Sequence, residues 1–358
     1  MRSQVRTVVV LLVAAALLGV FLYNVDLRGV TREIVRARPE WLAFSLLTMF
    51  ANLVIRAFRW QYLLEPLGHT RFGNAFRATA VGFAASSLLP ARAGEFIRPY
   101  FLARHERMSA TGAFATIILE RLLDLVTVLV LLASFVFVFG RDWSDANPAV
   151  SSGVKWAGAT AAALSLGALV ILFVLAGDPA RLARAVRRIE QAVPSALAAL
   201  VARTAEKFAT GLGALRRPGR LLVAMAWSFP LWLSIALGIW GVAVAFDLRI
   251  PFAGSFLLMA LLVIGVAVPT PAYVGGFHEA FRIGVTAFYG ASDAKAVGAA
   301  IVLHALTIGP SLLLGLYFAA QVGLNLAGMR QLANRADAAP GAADAADDKG
   351  RPQRVKVG

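Results

Sequence analysis

The chain contains no cysteine, which excludes disulfides, thiolate metal sites, iron–sulfur clusters and cysteine nucleophiles. Charge is also scarce, since only 15% of the 358 residues are charged while 59% are hydrophobic. Soluble domains average about 25% charged and about 45–50% apolar residues. The shortage of charge excludes an ordinary soluble protein. It predicts an all-α, polytopic membrane protein whose apolar surface faces lipid.

Acidic residues and lysines are few in comparison with arginine. There are 35 basic residues against 20 acidic ones, only five of the basic residues are lysine, and the formal net charge is +15. Many arginines stand beside apolar runs. The expected partner is therefore a membrane lipid and not a nucleic acid.

Apolar runs along the chain predict about seven to nine membrane segments. Runs of the length and composition of membrane spans cover residues 7–23, 41–55, 111–139, 154–176, 221–246, 251–268 and 294–318. The stretch 73–90 is weakly apolar and 281–289 is short, so neither is a simple span. We interpret 7–23 as an uncleaved first helix, because no small-residue cleavage site follows it.

Together these segments predict one integral membrane domain over residues 1–328. Within it, 178–220 is expected to be a basic, amphipathic helical loop, and 329–358 is expected to be a disordered tail. The loop and the tail are rich in Lys and Arg, which places both in the cytoplasm. The N-terminus is cytoplasmic too if the stretch 73–104 enters and leaves the membrane by the same face.

Two segments repeat an unusual order of residues. In each, an apolar run is followed by a proline, by a glycine four residues later and by Glu-x-x-Arg. The first contains Pro90, Arg92, Gly94, Glu95 and Arg98, and the second contains Pro271, Gly275, Gly276, Glu279 and Arg282. Proline and glycine interrupt helices, and paired interruptions indicate a transporter's central site.

The repeat predicts two broken, re-entrant helical hairpins that form a weak internal repeat. A helix that restarts at Gly94 or Gly276 would present free N–H groups to a phosphate. The alternative interpretation, two ordinary polar turns in a helical bundle, stays open.

Charged residues also interrupt the long run 111–139. Glu120, Arg121 and Asp124 lie within it, and an ionised residue at the centre of a membrane helix costs about 2.5–3.5 kcal/mol. Glu120 and Asp124 share a helix face and need a cation, for which Arg92, Arg98 and Arg282 are the candidates. The group is interpreted as a buried ion-pair lock, as the lining of a hydrophilic path, or as both.

Arg56 and Arg59 close the second apolar run, where anchoring at the membrane interface and phosphate binding explain them equally well. The four histidines show no metal-ligand spacing, so neither a metal nor a cofactor is expected. No nucleotide-binding or serine-hydrolase motif stands in a suitable context.

Four motifs, in order along the chain, resemble the lysylphosphatidylglycerol synthase transmembrane-region family. They lie at residues 56–64, 89–98, 120–124 and 271–279, and the resemblance covers residues 5–325. It implies a flippase-like module that moves aminoacylated phospholipid between leaflets, or a stand-alone relative associated with hopanoids or other envelope lipids. Because the chain ends in a polar tail without an aminoacyl-transfer domain, the resemblance does not imply lipid aminoacylation.

We therefore expect a non-enzymatic, flippase-like transporter of the bacterial inner membrane that binds an anionic lipid head group between the two broken helices. Arg92, Arg98 and Arg282 would contact the head group, while the acidic residues supply counter-charge. A homo-oligomer or a lipid-biosynthesis enzyme is the expected protein partner. The alternatives are an intramembrane lipid-modifying enzyme, with Glu95 or Glu279 as general base, and a non-catalytic scaffold for envelope-lipid biosynthesis.

Overall fold

The computed structural model describes residues 26–89, 92–146, 217–267 and 270–321, with a few isolated positions between 152 and 213. Several predictions fall largely or wholly outside the described residues. These are the first helix at 7–23, Pro90, the span at 154–176, the basic loop at 178–220 and the tail at 329–358.

All regular structure within the described ranges is helical, which confirms the all-α prediction. The helices are α1 (Leu27–Arg36), α2 (Pro39–Leu64), α3 (Phe72–Leu88), α4 (Gly94–Glu106), α5 (Ala110–Ala146), α6 (Pro218–Ala245), α7 (Gly254–Gly265), α8 (Gly276–Tyr289) and α9 (Asp293–Gln321). Short 3₁₀ turns at Glu65–Leu67 and Pro271–Tyr273 complete the list.

Three of these helices are long and apolar enough to cross a membrane by length and composition. The corresponding segments are Pro39–Leu67, Gly219–Ala245 and Asp293–Gln321. The 26 residues of α2 extend for about 39 Å, which exceeds the hydrocarbon thickness of a bilayer, about 30 Å. Helices α2 and α6 both begin with a proline in the first turn, where no intrahelical N–H partner is required.

Helices α3 and α4 form a tight hairpin because glycines face each other where they meet. A Cβ atom on Gly94 would collide with the carbonyl oxygen of Gly82, and it would lie 2.7 Å from the backbone nitrogen of Ser86. Helices α7 and α8 repeat this arrangement, since a Cβ on Gly276 would collide with the carbonyl oxygen of Gly265. The predicted helix starts at Gly94 and Gly276 are confirmed.

The two hairpins are related by these first helical glycines and not by the prolines. Gly94 therefore corresponds to Gly276, whereas spacing from proline paired it with Gly275. As a result, Glu95 is the second residue of its helix while Glu279 is the fourth. The two Glu-x-x-Arg motifs consequently fall at different heights above their hairpin tips.

Polar contacts join the helix ends into two opposite groups. At one end, called the Asp247 end, the Arg38 N–H donates to the Ala245 carbonyl at 3.0 Å, and Lys295 lies 3.7 Å from Asp247. At the other, called the Glu65 end, Arg220 pairs with Glu65 at 2.7 Å. Helix α2 runs from the Asp247 end to the Glu65 end.

Each hairpin opens at a different end of the bundle. The Glu106 carboxylate accepts a bond from the Arg71 N–H at 2.9 Å, so the start of α3 and the end of α4 lie together. Because α3 follows the Glu65 turn, this first hairpin opens at the Glu65 end. The second hairpin opens at the Asp247 end, where a Cβ on Gly254 would meet the Tyr289 ring at 3.0 Å. The tips of the two hairpins therefore point towards each other inside the bundle.

Candidate functional site

A cluster of five ionisable side chains is buried where α2, α4 and α5 meet. Its members, called the buried ion cluster, are Arg56, Arg59, Arg98, Glu120 and Asp124, and none is more than 5% exposed. Arginines three apart on α2 and carboxylates four apart on α5 each occupy one helix face. The cluster exists because these two faces pack against each other.

Every carboxylate oxygen of the cluster lies close to a guanidinium group. Asp124 contacts Arg59 at 2.6 Å and Arg56 at 3.4 Å through its two oxygens. Glu120 contacts Arg56 at 3.2 Å, Arg59 at 3.1 Å and Arg98 at 3.2 Å. The cluster thus ties three helices together through charge-assisted contacts in an apolar interior.

Neutral polar groups and an aromatic ring complete the cluster. Ser228 on α6 accepts a hydrogen bond from Arg59 at 2.7 Å, and the Trp232 indole donates to Asp124 at 2.9 Å. The Arg98 guanidinium lies 3.9 Å from the centre of the Trp60 ring, which is fully buried. No role was predicted from the sequence for Ser228, Trp232 or Trp60. The only signal was the position of Trp60 directly after Arg59.

Burial and ion pairing bear on the alternatives that the sequence left for this region. Arg59 is fully buried and Arg56 is 5% exposed, so interfacial anchoring is wrong for both. Arg98, one of the three candidate cations, is a counter-ion of Glu120, so that prediction is confirmed. Glu120 and Asp124 form an ion-pair lock, which was one of the two interpretations of that motif.

A cavity of about 220 Å³ lies beside the buried ion cluster, between the two hairpin tips. Its charged lining residues are Arg56, Arg92, Glu95 and Arg121. The rest of the wall is formed by Asn52, by Val266 and Tyr273 near the second tip, and by apolar and hydroxyl side chains from α2, α3, α6, α8 and α9. Larger concavities along α1 and beside Glu65 are lined by none of the buried cluster residues.

Arg92 connects the two hairpin tips across this cavity. Its guanidinium donates a hydrogen bond to the Val266 carbonyl and lies 5.7 Å from the centre of the Tyr273 ring. Among the residues that the structure describes, no carboxylate lies within ion-pair distance of it. Its backbone φ is +52°, so the first tip holds a non-glycine residue in the left-handed region.

Arg121 and Glu95 form an ion pair on the cavity wall. Their side chains are 3.1 Å apart and join α5 to α4, and Arg121 also lies 3.9 Å from Asp124. The Arg121 side chain is 42% exposed and the Glu95 side chain 28%, unlike the members of the buried ion cluster. Both groups are therefore accessible from the cavity.

The second Glu-x-x-Arg motif lies outside the buried ion cluster. Arg282 pairs with Glu279 at 3.6 Å and with Asp293 at 2.6 Å, at the Asp247 end. Its position six residues after Gly276 carries it about 9 Å along α8 from the tip. Arg282 is therefore not the counter-ion of Glu120 or Asp124, so that candidate was wrong.

The second tip is an irregular turn held by two histidines, for which the sequence predicted no metal-ligand role. Pro271 begins its 3₁₀ turn, and Gly275 has φ +90°, a conformation that glycine adopts readily. The Gly275 N–H donates to Nδ1 of His278 at 3.3 Å, and Nε2 of His304 bonds the Ala272 carbonyl at 2.7 Å. No group of three metal-ligating side chains occurs within the described ranges.

Two known proteins are similar to this chain. A UPF0104 membrane protein of Methanocaldococcus jannaschii is 23% identical over 122 residues, 33% of this chain and 36% of that protein. Glycosyltransferase AglD of Haloferax volcanii is 23% identical over 329 residues, 85% of this chain and 52% of that protein. The chain thus spans about half the length of the second relative and less of the first.

The family model described as the lysylphosphatidylglycerol synthase TM region matches residues 7–315. That range includes the buried ion cluster, the cavity and both hairpin tips. Since the match extends over most of the chain, this protein belongs to the lysylphosphatidylglycerol synthase transmembrane-region family.

Proposed function

We propose that this membrane protein binds the anionic head group of a lipid in the cavity between the hairpin tips and assists its movement between the leaflets. The observation that carries the proposal is the lining of that cavity, where Arg56, Arg92 and Arg121 surround a single described carboxylate, Glu95. Arginine suits this task because its planar fork matches phosphate oxygens and stays charged at any relevant pH.

The opposed hairpins support the proposal. In a membrane, the α3–α4 hairpin would enter from the Glu65 end and the α7–α8 hairpin from the Asp247 end, so that both are re-entrant. Irregular backbone at membrane depth is tolerated where it is buried in protein or lines a wet cavity. Interrupted helices in inverted halves of a chain are typical of transporters with a central binding site.

The distribution of charge supports an orientation. Basic residues at the Glu65 end clearly outnumber acidic ones. They are Arg71, Arg77, Arg104, Arg107, Arg217 and Arg220, against Glu65 and Glu106. The Asp247 end mixes both signs. The positive-inside rule then puts the Glu65 end in the cytoplasm, which agrees with a bacterial inner-membrane protein whose termini are cytoplasmic.

The buried ion cluster would act as a rigid base for the site. It fixes Arg56, whose contacts with Glu120 and Asp124 are both made by Nη1. Arg56 also lines the cavity, so the cluster would hold this cation in a defined position at the wall. Arg92 would exchange its bond to the Val266 carbonyl for a bond to the head group, which separates the two tips.

A reconstitution experiment tests the proposal. The full chain is placed in proteoliposomes, and movement of fluorescent anionic, aminoacylated and zwitterionic phospholipids is followed by quenching of the outer leaflet. We expect the wild type to move an anionic lipid and Arg92→Gln to reduce the rate at least about tenfold, as expected for loss of a charged hydrogen bond. The matched control is Arg77→Gln, an exposed arginine of α3 whose guanidinium lies 5.9 Å from the Phe318 ring.

If the folded wild type moves no lipid faster than protein-free liposomes, the proposal is wrong. A lipid-modifying enzyme then becomes the better candidate, since one relative is named a glycosyltransferase and Glu95 is a carboxylate accessible from the cavity. Mass spectrometry of lipids from cells expressing wild type or Glu95→Gln would detect a modified product. The accessory-scaffold alternative predicts neither movement nor modification by the isolated protein.

A further inference from the structure

Among the described residues, the charged side chains in and around the cavity carry more positive than negative charge. Five arginines lie in the buried ion cluster or on the cavity wall, against three carboxylates, a formal excess of two. The arginines are Arg56, Arg59, Arg92, Arg98 and Arg121, and the carboxylates are Glu95, Glu120 and Asp124. Uncompensated charge at membrane depth costs free energy, and an anionic ligand would reduce that cost.

The excess is divided equally between the buried ion cluster, with three arginines against two carboxylates, and the rest of the cavity wall, with Arg92 and Arg121 against Glu95. Arg92 lines the cavity and has no carboxylate partner among the described residues. Arg56 belongs to the cluster and also lines the cavity, so the charge of the cluster adjoins the same space. An anionic ligand in the cavity would therefore be attracted by both parts of the excess.

Resting on the function proposed above, we propose that the cavity selects a head group that ends in a phosphate monoester over one in which phosphate is a diester. A monoester carries about −1.5 to −2 charges at pH 7 and offers three terminal oxygens. A diester carries one charge and leaves half of the excess uncompensated. The dianion matches the formal excess of two.

The size of the cavity supports this choice. Its volume of about 220 Å³ is below the range of about 300–1,000 Å³ that is usual for sites of drug-sized ligands. A terminal phosphate fits such a space more readily than a head group that carries a sugar or an amino acid beyond the phosphate. Glu95, held by Arg121, would oppose a further carboxylate at the same place.

Competition between two short-chain fluorescent lipids in phosphatidylcholine proteoliposomes tests the inference. The lipids are phosphatidic acid, a monoester, and phosphatidylglycerol, a diester, measured at pH 8 and at pH 5.5. At pH 8 we expect phosphatidic acid to move at least about tenfold faster than phosphatidylglycerol, because its second anionic oxygen accepts an additional charged hydrogen bond. At pH 5.5 the preference should shrink, because the second phosphate pKa is about 6.

Charge variants separate this inference from the function on which it rests. Arg92→Gln lowers the excess to one and should bring the ratio of the two rates towards one. Arg92→Lys keeps the charge and should keep the preference, while Arg77→Gln should change neither rate. Size-exclusion chromatography in detergent verifies that each variant is folded. If Arg92→Gln is not folded, loss of the preference in folded Arg92→Lys would still overturn the inference.

The outcomes are distinct. Equal rates for the two lipids at pH 8 overturn the inference and leave lipid movement intact, whereas no movement of either lipid overturns both proposals. Uptake of inorganic phosphate by the proteoliposomes is measured as a separate test. If radiolabelled phosphate enters the proteoliposomes while neither lipid moves, the dianion comes from solution and the lipid assignment is wrong.

Discussion

Neutralising Asp124 should destabilise the protein strongly, because this carboxylate balances two buried arginines. It contacts Arg59 at 2.6 Å and Arg56 at 3.4 Å, and it accepts a bond from Trp232 at 2.9 Å. Removing one partner of a buried ion pair costs about 3–5 kcal/mol, because the remaining charge stays in the interior. We expect Asp124→Asn to fall in that range, since Asn keeps the volume and can still accept from Trp232.

Asp247→Asn is the matched control. Asp247 also faces two cations, Lys295 at 3.7 Å and Arg38 at 4.0 Å, but its side chain is 75% exposed. Exposed ion pairs contribute about 0–1 kcal/mol. The same chemical change should therefore have little effect at this position. The free energy of unfolding of both variants can be measured by denaturant titration in mixed micelles, followed by tryptophan fluorescence.

A double variant separates charge balance from packing. Asp124→Leu combined with Arg59→Met removes one charge of each sign and restores an apolar contact. Such replacements are often neutral or stabilising when the volume is kept. We expect the double variant to recover most of the loss seen in Asp124→Leu alone. The reasoning is refuted if Asp124→Asn and Asp247→Asn lose equal stability, or if the double variant is no more stable than Asp124→Leu.

Two further predictions concern the hairpins and the orientation. Gly94→Ala should prevent close packing of α3 on α4, because its Cβ meets backbone atoms of α3. We expect this variant to lose its monodisperse peak in detergent chromatography. Gly73→Ala is the control and should keep that peak, since a Cβ at Gly73 has no neighbouring atom within 4 Å. Equal yields of the two variants would contradict the packing argument. Since the chain has no cysteine, single variants Arg71→Cys and Arg249→Cys can be labelled with a membrane-impermeant maleimide in intact cells. We expect labelling at Arg249→Cys only, and labelling of both or of Arg71→Cys alone would contradict the orientation.

The opposite placement of the two Glu-x-x-Arg motifs shows where sequence reasoning reached its limit. Helix breaks and restarts at Gly94 and Gly276 follow from local chemistry, because proline and glycine act on their own backbone. Spacing from proline nevertheless paired Gly94 with Gly275. The contact that defines the correspondence is made with Gly82 and Gly265 on the preceding helices, which no local pattern reveals.

Composition and the length of the apolar runs together determined the helical membrane class, since a backbone in lipid is satisfied only in helices or a closed barrel, and runs of this length are those of membrane helices. The need of Glu120 and Asp124 for cations also followed from their place in an apolar run. Tertiary structure decided which arginines are the counter-ions of these carboxylates. Arg56 and Arg59 stand more than 60 positions earlier and become counter-ions only when α2 packs on α5, while Arg282 is carried to the Asp247 end. Electrostatic pairing depends on distance in space, and the sequence fixes that distance only within a single helix.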